Sequence, residues 1–221
     1  MAIPLRPIER PGGRWWAPDE NDLDFPELSP DGRRLAVTRT AQGKMDVWPI
    51  DAARGVSSRF TFDAAGAGFP IWSSDGSRIV FCNDLCQEVC GGAGSETLLL
   101  ESSLDKFPQD WSPDGQFLLC TQNDPKTGTD LWVLPLFGEL KPFPFANTNF
   151  NENAGQFPPD GSWVEYQSNE SGRDEVYVRP FPGHGGKRQV STGGGIAPRW
   201  RRNGKELFDI APDDRMMAAS I

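Results

Sequence analysis

The sequence predicts an all-β fold built from repeated four-stranded units. Glycine and proline are frequent, with 24 and 20 residues in a chain of 221, and they interrupt the sequence at short intervals. No stretch of about a dozen residues has the apolar spacing of an amphipathic helix. Short apolar runs between turn residues are typical of strands joined by tight turns, and one such turn recurs along the chain.

Five hairpin sequences carry the repeat. They begin at Ser29 (SPDGRRLAV), Ser73 (SSDGSRIVF), Ser112 (SPDGQFLLC), Pro158 (PPDGSWVEY) and Arg201 (RRNGKELFD), at intervals of 44, 39, 46 and 43 residues. In each of them Asp-Gly or Asn-Gly supplies the positive-φ positions of a tight hairpin. A nearly constant period of this length indicates a repeat architecture.

Each repeat contains several short strands. An apolar strand precedes the hairpin (FPEL, FPIW, FPQDW, GQF, APRW) and an alternating strand follows it. A third strand comes after a polar loop (KMDVWPI, TDLWVLPL, DEVYVRPF), and a fourth closes the unit (SRFTF, ETLLLE, KPFPF, KRQVS). This organisation predicts a β-propeller of about five four-stranded blades. We expect the residues that hold the same phase in the repeats to pack between blades: Leu28, Trp72, Trp111, Phe157 and Trp200.

The pattern P-x-W-S-P-D-G followed by D-x-W/Y-V resembles the TolB-like, WD40-like (PD40-type) propeller repeat. Residues 166–208 are similar to the propeller that follows the kinase domain in many bacterial serine/threonine kinases. The resemblance extends from about Asp24 to Ile221 and implies a binding platform. The predicted domains are an N-terminal segment, residues 1–23, and the propeller repeats, residues 24–221.

The resemblance also implies six blades, whereas the sequence has five hairpins and its last repeat stops after a third strand. Two alternatives follow. Residues 3–8 supply the missing outer strand of the last repeat and close the ring, or the propeller is incomplete and its open edges favour self-association.

The charge of the chain limits its partners. The net charge is −9 and the isoelectric point is about 4.7, which argues against nucleic acid because phosphate binding requires a basic face. Cations or basic peptides suit such a surface better. No apolar run approaches ~18 residues and the N-terminus lacks the apolar core of a signal peptide, so we predict no membrane partner and a cytoplasmic location, or excision from a longer protein.

Acidic loops predict a calcium site. In a propeller, the loops before the first strands lie on the same rim as the loops between the second and third strands. Acids in these loops therefore come close together, and Ca²⁺ binds several oxygen ligands in flexible geometry. Solvated turn residues are the alternative, since Asp and Asn favour turns. The predicted metal ligands are Asp24, Asp63, Asp105, Glu152 and Asn153.

Residues on the innermost strands are predicted to bind a ligand in the channel: Glu27, Asp110 or its neighbour Gln109, Gln156 and Arg199. Arg199 either holds a ligand carboxylate or forms a structural ion pair with one of the acids. The chain's one histidine, His184, lies in a turn on the opposite rim. We therefore expect it to be an exposed residue without a catalytic role.

Cys82, Cys86 and Cys90 have a spacing that would align them on a helix, but the repeat requires a strand at this point. A structural zinc site usually needs a second pair of ligands, and the sequence offers none. We therefore expect no zinc, and we expect Cys82 and Cys120 to be small buried strand residues.

The sequence has no serine-nucleophile elbow, zinc-protease motif, P-loop or Rossmann motif, so we expect no bound nucleotide. Two functions are compatible with it. The first is a binding module that takes a peptide, a protein or a small molecule at the acidic rim. The second is a Ca²⁺-dependent hydrolase of lactones or esters, implied by propeller enzymes that hold calcium in the channel. There the metal polarises a carbonyl group, and Asp24 or Asp105 would act as the base.

Overall fold

The structure, a computed structural model, describes residues 5–7, 23–62, 66–82, 85–90, 96–183 and 185–221. The regular elements of these segments are β-strands, which confirms the predicted all-β class. No helix in the described part of the chain is long and apolar enough to cross a bilayer.

Numbered in chain order, the strands are β1 (Leu5–Pro7), β2 (Leu23–Leu28), β3 (Arg34–Ala41), β4 (Lys44–Asp51), β5 (Gly68–Trp72), β6 (Arg78–Cys82), β7 (Cys86–Val89), β8 (Thr97–Leu98), β9 (Lys106–Trp111), β10 (Phe117–Asp124), β11 (Gly128–Pro135), β12 (Phe143–Ala146), β13 (Glu152–Gln156), β14 (Trp163–Ser168), β15 (Glu175–Pro180), β16 (Arg188–Gln189), β17 (Ile196–Trp200), β18 (Glu206–Ile210) and β19 (Met216–Ser220).

The strands form sheets of three or four members. Their orders are β2-β3-β4, β5-β6-β7-β8, β12-β11-β10-β9, β13-β14-β15-β16 and β1-β19-β18-β17. The chain divides into two compact units. Arg14–Trp111 is called the N-terminal unit here, and Ser112–Ile221 together with Met1–Gly13 is called the C-terminal unit.

The predicted hairpins form as the Asp-Gly turns require. In the first one, the Ser29 hydroxyl donates to Asp31 (2.6 Å) and accepts from the Arg34 backbone N–H (2.9 Å), while Gly32 has a φ of 71°. The second hairpin repeats these contacts with Ser73 and Asp75. Hydrogen bonds from Ser73 and from the residue after Gly76 lower the pKa of Asp75 to about 2. In each of these turns the serine hydroxyl therefore holds both the aspartate carboxylate and the backbone of the following strand.

The outer strands differ from the prediction at one position. The segment predicted as the fourth strand of the first repeat, SRFTF, is not a regular strand. It still follows β4, because the Phe60 N–H donates to the Val47 carbonyl (2.9 Å) and the Val47 N–H donates to the Thr61 hydroxyl (3.0 Å). A side-chain oxygen has replaced a backbone partner, so the ladder is interrupted.

The last sheet takes its outer strand from the N-terminus of the chain. β1 pairs antiparallel with β19, with Leu5 opposite Ala219 and Pro7 opposite Met217. Both strands belong to the C-terminal unit. The edge of β19 is therefore covered in this unit.

Apolar side chains between successive sheets form the cores. In the C-terminal unit, Leu119, Leu131 and Val133 pack with Phe157 and Tyr166. In the N-terminal unit, Val47 and Trp72 pack with Ile79 and Phe81. Burial of such side chains removes apolar area from water, which is the main source of stability.

The residues predicted to pack between blades agree with this pattern except for one. Trp72, Trp111 and Phe157 are buried and Trp200 is half-buried, but Leu28 is 55% exposed. Within the N-terminal unit, Trp72 contacts the preceding repeat, since its indole N–H donates to the Glu27 carbonyl (3.0 Å). The exposure of Leu28 shows that the prediction was wrong for this residue.

The three closely spaced cysteines lie on an antiparallel hairpin and not on a helix. Cys82 ends β6, Cys86 begins β7 opposite Phe81, and Cys90 packs half-buried against the core of the N-terminal unit. Cys120 is buried as predicted, whereas Cys82 is only half-buried because it ends its strand. Their positions follow the strand pattern of the repeat.

Candidate functional site

Four of the first strands share a β-bulge. In β2, Asp24 faces Thr38 and Glu27 faces Ala36, so the two residues between them oppose a single residue of β3. β5, β13 and β17 have the same irregularity in their registers. A bulge of this kind bends the strand and changes the direction of its side chains.

The bulge places a non-glycine residue in the left-handed backbone region. φ is 51° at Phe25 and 54° at Phe69, and the matching residues of the C-terminal unit are Ala154 (52°) and Ala197 (50°). This conformation is uncommon for a bulky residue and costs about 1–2 kcal/mol. Because Ala154 and Ala197 share this conformation, it belongs to the bulge of the repeat, and the aromatic ring is what distinguishes Phe25 and Phe69.

Phe25, Phe69 and Phe107 form a continuous group of rings, called the aromatic surface below. The ring centroids of Phe25 and Phe69 are 3.9 Å apart, and those of Phe69 and Phe107 are 4.9 Å apart. Phe25 is 47% exposed, and the other two rings are half-buried. The first strands β2, β5 and β9 are neighbours within the N-terminal unit, so each contributes one ring. Clustered exposed aromatic rings are typical of binding sites.

Acidic residues flank the aromatic surface along the chain. Asp24 precedes Phe25 and Asp105 lies two residues before Phe107, and both carboxylates are exposed. The N-terminal unit contains sixteen acidic and nine basic residues, a net charge of −7, whereas the C-terminal unit has fifteen and thirteen, a net charge of −2. Most of the negative charge therefore belongs to the unit that carries the aromatic surface.

Glu27 and Asp110, predicted to bind a ligand, are half-buried in β2 and β9. The Glu27 carbonyl accepts the Trp72 indole N–H, and the Asp110 carboxylate accepts the Trp111 backbone N–H (2.8 Å). Both residues therefore lie on strands that also carry a ring of the aromatic surface.

Gln156 and Arg199 occupy first strands of the C-terminal unit. Gln156 is half-buried opposite Glu165. Arg199 is exposed, and its Nη1 donates to the Pro198 carbonyl (2.8 Å). Arg199 forms no ion pair with any carboxylate that the structure describes, so the predicted structural pair is not formed with those residues.

Glu152, predicted as a metal ligand on an exposed rim, is buried at the start of β13 with 1% exposure. Its carboxylate accepts hydrogen bonds from the Thr148 hydroxyl and from the Thr148 backbone N–H (3.4 Å). Burial raises the pKa of Glu152. Thr148, in the loop before β13, already holds this carboxylate, and its role as a metal ligand stays a prediction. Asn153, the next residue, is half-buried.

A cavity of about 370 Å³ lies beside Glu152 in the C-terminal unit. It is called the Arg179 cavity below. Its described lining residues are Pro144, Phe145, Ala146, Asn147, Thr148, Glu152, Tyr166, Arg179, Gly185 and Lys187. The volume is within the usual range for pockets that hold small molecules.

Buried acids recur on the third strands, each with a hydroxyl partner. Thr61 donates to Asp46 (3.3 Å), Thr127 donates to Asp130 (2.6 Å), and Ser191 donates to Glu175 (2.5 Å). Buried carboxylates usually require such donors. The burial of these three acids is therefore explained by their hydrogen bonds.

Asp209, on β18, has no such donor. It is 1% exposed, and neither of its carboxylate oxygens has a hydrogen-bond partner among the residues that the structure describes. Burial and the negative charge of Glu175 raise its pKa to about 6. The same position after the hairpin turn holds Val37, Phe81 and Tyr166 in other repeats, so Asp209 departs from the repeat pattern.

The predicted metal site is only partly within the described residues. Asp63 and the expected turn residue His184 lie outside them. In the segments that are described, no group of three or more His, Cys, Asp or Glu side chains is placed to hold a metal ion. The calcium site stays a prediction.

Sequence reasoning did not identify the aromatic surface. The signal was present, because Phe-Pro occurs in DFPEL, GFPIW and KFPQDW, at one position of three consecutive repeats. The positive φ at that position cannot be predicted from the spacing of apolar residues. Arg179 was also missed, since a single arginine in a third strand has no distinguishing pattern.

No family model matches the sequence, and no curated protein matches it significantly. Solved structures do match it. A TolB-type protein from Agrobacterium tumefaciens has a TM-score of 0.74 at 16% identity, over 86% of this chain and 69% of that one. TolB from Acinetobacter baumannii has a TM-score of 0.71 at 16% identity, over 90% of this chain and 55% of that one.

A third match is oligogalacturonate lyase from Vibrio parahaemolyticus, with a TM-score of 0.68 at 11% identity, over 100% of this chain and 70% of that one. Identities this low establish a common fold and leave ligands and activity open. The chain therefore has the TolB-like β-propeller fold that its repeats predicted.

Proposed function

We propose that the chain is a binding module that holds a basic segment of a partner protein on the aromatic surface of the N-terminal unit. The observation that carries the proposal is the contact of the rings of Phe25, Phe69 and Phe107. A TolB-like fold supports a binding role, although it does not identify the partner.

The chemistry of the surface determines which segment fits. Aromatic rings act as anchors for apolar side chains and attract Lys or Arg through cation–π contacts, each worth about 0.5–2 kcal/mol. The exposed carboxylates of Asp24 and Asp105 and the net charge of −7 favour a cationic partner and raise its association rate. Binding should therefore weaken as the salt concentration rises.

Selection from a displayed library of random dodecapeptides tests this proposal. We expect the recovered peptides to combine Arg or Lys with aromatic or aliphatic residues. Phe69→Ala should weaken the best peptide by at least about 30-fold, the loss typical of a central anchor residue. Phe25→Gly should weaken it as well without loss of stability, because glycine accepts the left-handed conformation at that position.

Phe150→Ala is the matched control, since Phe150 is an exposed ring of the C-terminal unit (42%). It should leave peptide binding unchanged. Recovery of acidic peptides, or equal binding by wild type and Phe25→Gly, would refute the proposal. Size-exclusion chromatography of the same samples tests the predicted self-association.

Calcium-dependent hydrolysis of lactones or esters is a second function, and one observation favours it. Asp24 and Asp105 are exposed in the same unit and form no ion pair with another described residue. Ca²⁺ at 100 times its dissociation constant should stabilise the protein by ~2.7 kcal/mol, a rise in melting temperature of roughly 5–10 °C. Asp24→Asn combined with Asp105→Asn should abolish the shift. Ester hydrolysis that persists in EDTA, or a melting temperature indifferent to Ca²⁺, would reject this function.

A further inference from the structure

The Arg179 cavity provides a second site, independent of the aromatic surface because it lies in the other unit. β12 contributes Phe145, β13 contributes Glu152, β14 contributes Tyr166 and β15 contributes Arg179. The loop before β16 adds Lys187. Side chains on four strands of two sheets are held in place by the ladders, so the cavity is preformed.

Arg179 is the central group of this cavity. Its guanidinium is half-buried, donates from Nη1 to the Phe145 carbonyl (2.6 Å) and lies 5.0 Å from the centroid of the Phe145 ring. Among the described residues it forms no ion pair with a carboxylate. A half-buried cation without a counter-ion is unfavourable, and its remaining N–H groups match a carboxylate in the planar, two-bond geometry that arginine prefers.

The neighbouring charges limit the charge of the ligand. Lys187 forms an ion pair with Glu170, which cancels most of its positive charge. Among the described lining residues Glu152 is the one acid, and its carboxylate is already held by Thr148. Arg179 is therefore the described cation of the lining that has no carboxylate in an ion pair, and the Glu152 carboxylate beside it would oppose a doubly charged phosphate more than a singly charged carboxylate.

One side of the cavity is apolar. The rings of Phe145 and Tyr166 meet edge to face with centroids 6.0 Å apart, and Pro144 and Ala146 complete this side. Both rings are buried in the core, and most of the exposed lining is polar, so the cavity suits a small ligand whose polar group dominates.

We propose that the Arg179 cavity binds a small monocarboxylate, with the carboxylate on the Arg179 guanidinium.

Isothermal titration calorimetry with the full chain tests this site. The probes are acetate, lactate, benzoate and phenylacetate, each compared with its own amide, which keeps the shape and removes the charge. We expect at least one of the four acids to bind more tightly than its amide by about tenfold or more. Phosphate should bind more weakly than that acid.

Two substitutions locate the binding. Arg179→Gln should reduce the affinity for the acid to that for the amide, and Arg179→Lys should restore only part of it, because lysine keeps the charge and loses the planar geometry. Arg215→Gln, at an exposed arginine that pairs with Asp213, is the control and should have no effect. If Arg179→Gln does not fold, the comparison rests on Arg179→Lys.

Equal affinity for the acids and their amides would overturn the proposal. So would tight acid binding that Arg179→Lys leaves unchanged, or the absence of binding by all four acids. None of these outcomes bears on the aromatic surface, which is tested by Phe25→Gly and Phe69→Ala.

Discussion

Asp209→Asn is expected to raise the melting temperature by roughly 5–10 °C at pH 8 and to leave it nearly unchanged at pH 4. The carboxylate of Asp209 is buried beside Glu175, and both of its oxygens lack a partner among the described residues. Asparagine has almost the same shape, carries no charge and offers an amide N–H to the neighbouring carboxylate. The substitution therefore removes a buried charge and leaves the packing intact.

The pH dependence follows from the direction of the pKa shift. The folded protein raises the pKa of Asp209 from 3.8 to about 6, so the native state holds this proton more tightly than the unfolded chain does. Stability from this group is fully present below pH ~4 and is lost as the pH rises through about 6. A difference of ~2 pKa units corresponds to about 3 kcal/mol in the free energy of unfolding. Thermal melts between pH 4 and pH 8 measure it.

Asp213→Asn is the control, because Asp213 is an exposed acid of the following turn and pairs with Arg215. Its effect should be small and of the opposite sign, since that ion pair lowers the pKa of Asp213. A gain for Asp209→Asn that is equal at pH 4 and pH 8 would show that ionisation of Asp209 is not the cause.

The repeat explains why so much of the fold could be predicted from the sequence. Asp-Gly and Asn-Gly turns fix the conformation of a hairpin locally, and the serine before several of them adds hydrogen bonds within the same few residues. Because the period is nearly fixed, the positions of the first three strands in one repeat predict those of the corresponding strands in the other repeats. The outer strands are less predictable, because a ladder can be continued by a hydroxyl such as that of Thr61.

The candidate site was less predictable than the fold for physical reasons. The sequence identifies acids in loops but not how a loop folds, and Glu152 is buried under the residues that precede it. The aromatic surface depends on a bulge that turns Phe25 and Phe69 towards each other. Strand faces are predicted from the alternation of apolar and polar residues. A bulge interrupts this alternation, so its effect on side-chain direction is not predicted from the sequence.

Asp209 shows a third limit. A repeat pattern predicts an apolar residue at its position, and the acid is visible in the sequence as an exception. Only the structure shows that its neighbour across the sheets is another buried acid, Glu175. Such local departures from an otherwise consistent pattern reduce stability.

Gly155→Ala is expected to destabilise the protein by about 1–3 kcal/mol, which is the usual cost of overpacking a core. A Cβ atom on Gly155 would lie 2.8 Å from both δ carbons of Leu131 and 3.4 Å from its γ carbon. Leu131 is fully buried on β11, so its side chain has little room to move away. The melting temperature should fall by several degrees.

The repeats explain why glycine is required here. Pro70 and Pro198 occupy the position of Gly155 in other first strands, and Val47 and Val176 occupy the position of Leu131 in other third strands. A larger residue on one strand is therefore matched by a smaller one on the next sheet. Leu131→Val should restore the missing space, so the double variant should lose less stability than the sum of the two single variants by at least ~1 kcal/mol. Strictly additive losses in urea unfolding would show that these two side chains do not compete for the same volume.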